Sequence, residues 1–318
     1  MKRRAALRAG ELLAVLFLVS VGVFLMVALL PTDPAVAILG QGHPESAYAE
    51  LRHEMGLDQS LVQRYLDWLG GALTGDLGRS LVPPSSDVME RVQSALPVSV
   101  EIAVLGLLIA LLVAVPLAMW SASHEGGLVD RAISAATFGV LSVPSFLAGL
   151  LLIMVVVDGL GWFPRAEWVR LADGGLGSNL YHAFLPALTV ALVELAMFTR
   201  VLRGDLIETL REDYILAARA KGMPPLRILF ADALRPSSFS LVTLLGLSLG
   251  RLIGSTVIVE YLFSLPGMGS LVVNAAEQGD YPMVQGAVLV IAAVYVLTNA
   301  AIDASYGRLD PRIRRAEA

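Results

Sequence analysis

Cysteine is absent from the 318 residues, which excludes disulfides, a thiolate metal site and a cysteine nucleophile. Histidine is scarce: the four present are scattered without ligand spacing, so no metal is expected. Charged residues make up 16% of the chain, well below the roughly 25% of an average soluble domain. No Gly-x-x-x-x-Gly-Lys-Ser/Thr phosphate loop occurs, so this chain is not expected to bind ATP. Paired carboxylates and serine-histidine arrangements are also missing where a pocket is expected, and no catalytic residue is assigned. What fills the chain instead is apolar sequence, 56% of all residues, with a mean hydropathy of +0.70. This is the composition of an integral membrane protein. The net charge of −5 carries little information, because in a membrane protein the location of charge matters more than its sum.

Lys2, Arg3, Arg4 and Arg8 precede an apolar run from Leu12 to Leu30, about the length that crosses a hydrocarbon core at 1.5 Å per residue. A cleaved leader is one reading, with Ala35-Val-Ala37 as a cleavage site. The run exceeds the roughly 7 to 15 residues of a signal h-region, which favours a retained first transmembrane helix over residues 1–31. Residues 32–97 are acidic and water-facing. Within them Ala47 to Met55 and Ser60 to Leu73 are predicted helices, the second with Leu61, Tyr65, Trp68, Leu69 and Ala72 at helical spacing and Ser60 as its cap. A small extracytoplasmic subdomain is expected there.

Five further spans are predicted, at about Val98 to Met119, Ala132 to Val157, Phe184 to Arg200, Phe239 to Phe263 and Val288 to Ser305. Together with the first they make an all-α, six-span membrane protein whose remaining five helices form a core over 98–305, with a tail over 306–318. Six spans put both termini on one side. Arginine and lysine crowd the N-terminus, the C-terminus (Arg308, Arg312, Arg314, Arg315) and a loop over 201–236, all on that side. The positive-inside rule makes it cytoplasmic. The opposite side carries the acidic segment, the Asp158 to His182 connection and the stretch Ser264 to Gln285, which has no lysine or arginine.

The loop holds a polar, basic island from Asp213 to Pro236. Gly222 interrupts a helix-forming run, Pro224 and Pro225 stop it from resuming, and Leu226 to Leu234 restarts a second helix. Helix, bend, helix on a membrane surface is the expected form. Ala217, Ala218 and Ala220 permit close packing, while Arg219 and Lys221 keep another face wet. An amphipathic helix resting on anionic lipid headgroups is one account of it; a protein-docking element is the other.

Inside the spans, Glu194 and Arg251 are expected near mid-membrane and at similar depth. Ionisable groups there are costly and face a partner or a cavity. They read as a buried ion pair, as solute-facing groups in a pathway, or as groups at a subunit seam. Gly246, Gly250 and Gly254, each four apart, make a small-residue stripe suited to close helix packing. Glu260, near an outer span end, is expected at headgroup depth.

Leu216-Ala-Ala-Arg-Ala-Lys-Gly222, followed by Leu234-Arg-Pro236, resembles the Glu-Ala-Ala loop of the permease subunits of ABC importers. Leu216 stands where the glutamate is usual, a departure common in the dipeptide and oligopeptide branch. Further stretches look like signatures of the first permease subunit of dipeptide, oligopeptide and nickel importers, in that family's order. They are Leu30-Pro-Thr-Asp-Pro34, Gly56-Leu-Asp58, Gly75-Asp-Leu-Gly-Arg-Ser80, Glu260-Tyr-Leu-Phe-Ser-Leu-Pro-Gly-Met-Gly269, Asp280-Tyr-Pro-Met-Val-Gln-Gly286 and Leu309-Asp-Pro-Arg-Ile-Arg314. The resemblance implies a type I importer permease fold in the bacterial inner membrane. It also implies that Asp213, Tyr214, Ala217, Ala218, Arg219, Lys221 and Gly222 form a coupling helix docking on an ATPase.

The implied partners are a second homologous permease, two ATPase subunits that hold the ATP and magnesium, an extracytoplasmic solute-binding protein and membrane lipid. No cofactor on this chain and no nucleic acid are expected. Peptides are the solute expected first, with nickel chelates or glutathione-like solutes as alternatives. An ion-coupled secondary carrier is the rival from another class; it requires internal repeats and midplane ion ligands, and no convincing repeat is present.

Overall fold

The computed structural model describes residues 2–29, 34–40, 42–54, 56–164 and 167–309. Among these the elements are helical, apart from one isolated bridge between Arg79 and Asp87. In order they are α1 (Lys2–Ala28), α2 (Pro34–Leu39), α3 (Glu45–Glu54), α4 (Leu61–Thr74), α5 (Val88–Ser123), α6 (Leu128–Ser142) and α7 (Ser145–Leu152), which runs into a π-helical segment (Ile153–Gly159). Then come α8 (Leu171–Thr209), α9 (Asp213–Ala220), α10 (Pro225–Arg227), a second π-helical segment (Ile228–Ala233), α11 (Leu234–Ser255), α12 (Val257–Leu262), α13 (Met268–Glu277) and α14 (Tyr281–Leu309). The Leu30 to Pro34 and Leu309 to Arg314 stretches and the 306–318 tail lie wholly or largely outside the described residues.

Among the described residues five stretches are long and apolar enough to cross a membrane: Gly10–Ala28, Val88–Ser123, Leu171–Thr209, Pro225–Gly254 and Tyr281–Ile302. The third expected span is not one helix. Leu128–Ser142 and Ser145–Gly159 meet at 100°, correcting the continuous run expected from Ala132 to Val157. Pro144 explains the break. It has no N–H to continue the ladder and pushes the residue before it out of the helical region, and Val143 is extended at φ −101°, ψ 125°.

Two other spans also differ from expectation. The one expected to be shortest, from Phe184, belongs to the longest helix, α8. Apolar content marks only the part of a helix that meets lipid, so the polar turns at both ends were invisible to it. The fifth expected span stops at Ser255 and resumes as the short α12, while its start extends back to Pro225.

The chain forms two compact units. One comprises Met1–Ser99, Ile253–Val257 and Pro266–Ala318. Its core gathers Leu77, Val88, Val92 and Ala95 with Met268, Ala275, Met283 and Ala287. The segment 32–97 therefore shares a core with the C-terminal helices. Ser60 caps α4 by accepting the Gln63 N–H, and Gly75 closes it at φ 90°, a left-handed position that glycine takes at no steric cost. Tyr65 on α4 reaches α1, with its hydroxyl 2.8 Å from Ser20 Oγ and its ring edge-on to Phe24. Asp280 binds the Ser80 hydroxyl and, at 3.1 Å, the Leu81 N–H.

The other unit comprises Val100–Leu252 and Ile258–Leu265. Its organiser is α8, which buries Ala183, Ala187, Ala191, Glu194, Phe198, Leu202 and Leu206. Small residues let neighbours come close, as in many membrane bundles. A Cβ on Gly149 would lie 2.8 Å from Leu262 and 2.9 Å from Thr189. Glu260 is fully buried.

Candidate functional site

The island begins as a separate short helix. α9 follows an extended Glu212, with Asp213 in its first turn and Arg219 in its last, both of the sign its dipole favours. It ends in a Schellman motif: the Gly222 N–H bonds the Arg219 carbonyl at 2.9 Å and the Met223 N–H the Ala218 carbonyl at 3.2 Å. That closure requires a left-handed residue, and Gly222 supplies it at φ 76°. Pro224 in an extended conformation and Pro225 at the first helical position then start α10.

The restarted helix does not end at Leu234, as expected, but runs on into α11 as one membrane-length stretch. The π-helical turn lies just ahead of Pro236, which deprives the carbonyl four residues back of its α-helical donor. A wider turn at this point is a known way to accommodate such a loss.

α9 buries Ile215 and Ala218, one turn apart, and exposes its other faces. Tyr214 is 49% and Leu216 50% exposed. Ala217, Arg219, Lys221 and Gly222 are also exposed. The alanines expected to act together are therefore divided: Ala218 anchors the helix and Ala217 belongs to its outward surface. Leu226 and Phe230 add apolar area beyond the bend, at 69% and 60% exposed. Burial, with the Glu212 and Asp232 carboxylates, raises the Tyr214 phenol pKa, so its hydroxyl stays a donor well above neutral pH. A groove of about 910 Å³ adjoins this helix, lined by Ser123, Glu125, Leu210, Arg211, Arg219, Met223 and Leu226 among others.

What holds the island in place was not legible in sequence. Asp130, 4% exposed, accepts Arg203 Nε at 2.5 Å and Arg203 Nη2 at 2.7 Å. It also accepts the Ser121 hydroxyl at 2.5 Å and the Gly126 N–H at 2.8 Å. One carboxylate thus ties together α5, the α5–α6 turn, α6 and α8. Arg211 adds a 2.6 Å ion pair to Glu125 in that turn. The buried Ser237 donates towards Thr209 at 2.8 Å and the Ala233 carbonyl at 2.8 Å, joining α11 to the end of α8. Arg203 lies in the arginine-rich loop over 201–236, and the Gly126-Gly127 pair three residues before Asp130 marks the turn.

Glu194 and Arg251 meet, with Arg251 three residues before the end of the apolar stretch Pro225–Gly254. Arg251 Nη2 lies 2.6 Å from Glu194 Oε1, and Ser248 donates to Glu194 Oε2 at 2.6 Å. The Glu194 side chain is 2% exposed and that of Arg251 51%. Gly246 and Gly250 are buried on α11, and a Cβ on Gly254 would sit 3.5 Å from Ile291. Among the described residues no cluster of histidine and carboxylate side chains has the make-up of a metal site.

Residues 114–315 match the family model described as binding-protein-dependent transport system inner membrane component, and residues 1–102 match the model of the N-terminal part of such components. Named relatives align along nearly the whole chain. The probable peptide ABC transporter permease protein y4tP of Sinorhizobium fredii is 34% identical, over 96% of this chain and 97% of its own. The di/tripeptide transport system permease protein DppB of Pseudomonas aeruginosa is 32% identical, over 97% and 98%. The oligopeptide transport system permease protein AppB of Bacillus subtilis is 32% identical, over 91% and 92%.

Proposed function

We propose a function from one premise: the chain belongs to the family of binding-protein-dependent transport system inner membrane components. It is a multi-pass permease subunit of an ABC importer, and the solute is a di- or oligopeptide, as the names of its relatives suggest. The peptide arrives from an extracytoplasmic binding protein and passes between this subunit and a second, homologous permease. Two ATPase subunits on the cytoplasmic side supply the energy and hold the ATP and magnesium. In this reading α9 and both termini face the cytoplasm, and segment 32–97 faces outward beside the binding protein.

The observation that carries the reading is the build of α9. A helix of eight residues buries only Ile215 and Ala218 and turns Tyr214, Leu216 and Ala217 outward. An isolated helix this short is unstable in water, so its two anchors and its glycine closure spend stability on presenting a surface. Docked in an ATPase cleft, that surface is covered. Closure of the ATPases on ATP then drags α9, and the Asp130–Arg203 and Ser237–Thr209 ties carry the motion into α5, α6, α8 and α11 as a rigid-body swing.

Co-expression of this chain with its permease partner and ATPases tests the reading. The complex is expected to co-purify and to hydrolyse ATP faster with peptide-loaded binding protein. Permease purified without ATPase chains is expected to hydrolyse none. Peptide uptake by this chain alone, driven by a proton or sodium gradient, would instead establish a secondary carrier.

A further inference from the structure

We infer that Arg251 is the group that binds the C-terminal carboxylate of the solute inside the translocation pathway, with Glu194 as its positioning residue. This rests on the peptide-importer reading above.

The argument starts from exposure. Arg251 lies within the apolar, membrane-length stretch Pro225–Gly254, yet half of its side chain is exposed. A guanidinium cannot face lipid tails there without large cost, so its free edge needs water, a ligand or a protein partner. The other half of the pair cannot supply it. Glu194 is buried, and each of its oxygens already accepts one donor, from Arg251 and Ser248. Arg251 uses one Nη2 hydrogen for that bond and has no other partner among the described residues, leaving the second Nη2 hydrogen with Nε or Nη1 as a two-donor edge. Such a planar fork fits a carboxylate with two parallel bonds.

The surroundings suit a ligand. Leu247, one turn earlier on the same face, is 51% exposed. Apolar surface beside one oriented polar group is the usual make-up of a small-molecule site. The carboxylate terminus is also the one anionic group common to peptides of every sequence. Glu194 then has a second consequence. Its charge behind the guanidinium weakens the hold on an incoming carboxylate, and a transport site must bind loosely enough to let go.

The absence of cysteine makes the test direct. Leu247→Cys is introduced into the assembled transporter in membrane vesicles and labelled with a small, membrane-impermeant thiol reagent, read on this chain's band. The probes are trialanine with a free C-terminus and trialanine amide. Labelling is expected, and free trialanine is expected to slow it at a concentration about tenfold or more below that needed for the amide, the weight of a charge-assisted bond. Adding Arg251→Gln is expected to erase that difference. Adding Glu194→Gln, whose one oxygen still accepts from Arg251 while its amide can donate to the Ser248 hydroxyl, is expected to lower the half-protecting concentration of free trialanine; a merely supporting role for Glu194 predicts a rise.

Failure to label means the face is sealed by lipid or by the second permease and overturns the inference. Equal protection by the two probes with Arg251 intact overturns it too, without reliance on any variant at that position. If the same vesicles still import trialanine with ATP and binding protein, the importer reading survives that result. If they import no peptide, both fall together.

Discussion

Gly222 is where one residue decides the geometry of the whole island. Its φ of 76° closes α9, and a Cβ there would meet nothing within 4 Å. Substitution is therefore a matter of backbone strain alone, about 1–2 kcal/mol for a residue forced left-handed. Gly222→Val is expected to leave insertion and ATPase assembly intact while uncoupling hydrolysis from uptake, seen as continued ATP turnover with peptide uptake reduced several-fold. Asp130 is the opposite case, a buried acceptor of four donors. Asp130→Asn leaves Arg203 without its counter-charge and is expected to destabilise the protein by about 2–4 kcal/mol, measurable as a lower unfolding temperature of the purified complex. Neither residue announces its role by type. Gly222 does so by position before Pro224, and Asp130 only through a partner 73 positions away.

The helices carry a second set of outcomes, and α9 divides them most clearly. Ala217 is exposed and Ala218 buried, so aspartate at the two positions should fail differently. Ala217→Asp is expected to abolish ATPase co-purification without lowering the unfolding temperature of the permease pair. Ala218→Asp puts a charge where α9 is anchored and is expected to lower both. Similar losses of co-purification and stability for the two would remove α9 as the docking element. Helical periodicity could propose α9 because the glycine and two prolines that bound it are local signals. It could not say which alanine faced the protein, since that depends on what lies beneath.

For the molecule as a whole, the lesson lies in the unit that contains segment 32–97. Composition set that segment apart as an acidic outer subdomain, but its Leu77, Val88 and Val92 share a core with Met268, Met283 and Ala287. Gly286 marks the contact: a Cβ there would lie 2.6 Å from Val88 Cγ1 and 3.2 Å from Leu77 Cβ. Gly286→Val is expected to cost about 1–3 kcal/mol of stability by overpacking, lowering the unfolding temperature while the ratio of ATP hydrolysed to peptide imported stays unchanged. An unaltered unfolding temperature would mean that this core contributes little.

The membrane class, the approximate location of the apolar spans, the Ser60 cap and the break at Gly222 followed from the sequence alone, because each depends on residues near one another along the chain. Hydrophobic length, a capping hydroxyl and a left-handed glycine need no knowledge of the rest of the fold. The resemblance that identified the family was equally linear, a series of short motifs in order. Tertiary structure decided the rest: the pairing of Glu194 with Arg251, the Asp130 hub, the split between Ala217 and Ala218, and the core shared by segment 32–97 with the last helices. Those depend on which distant surfaces meet, and burial and ion pairing are properties of the meeting rather than of either residue.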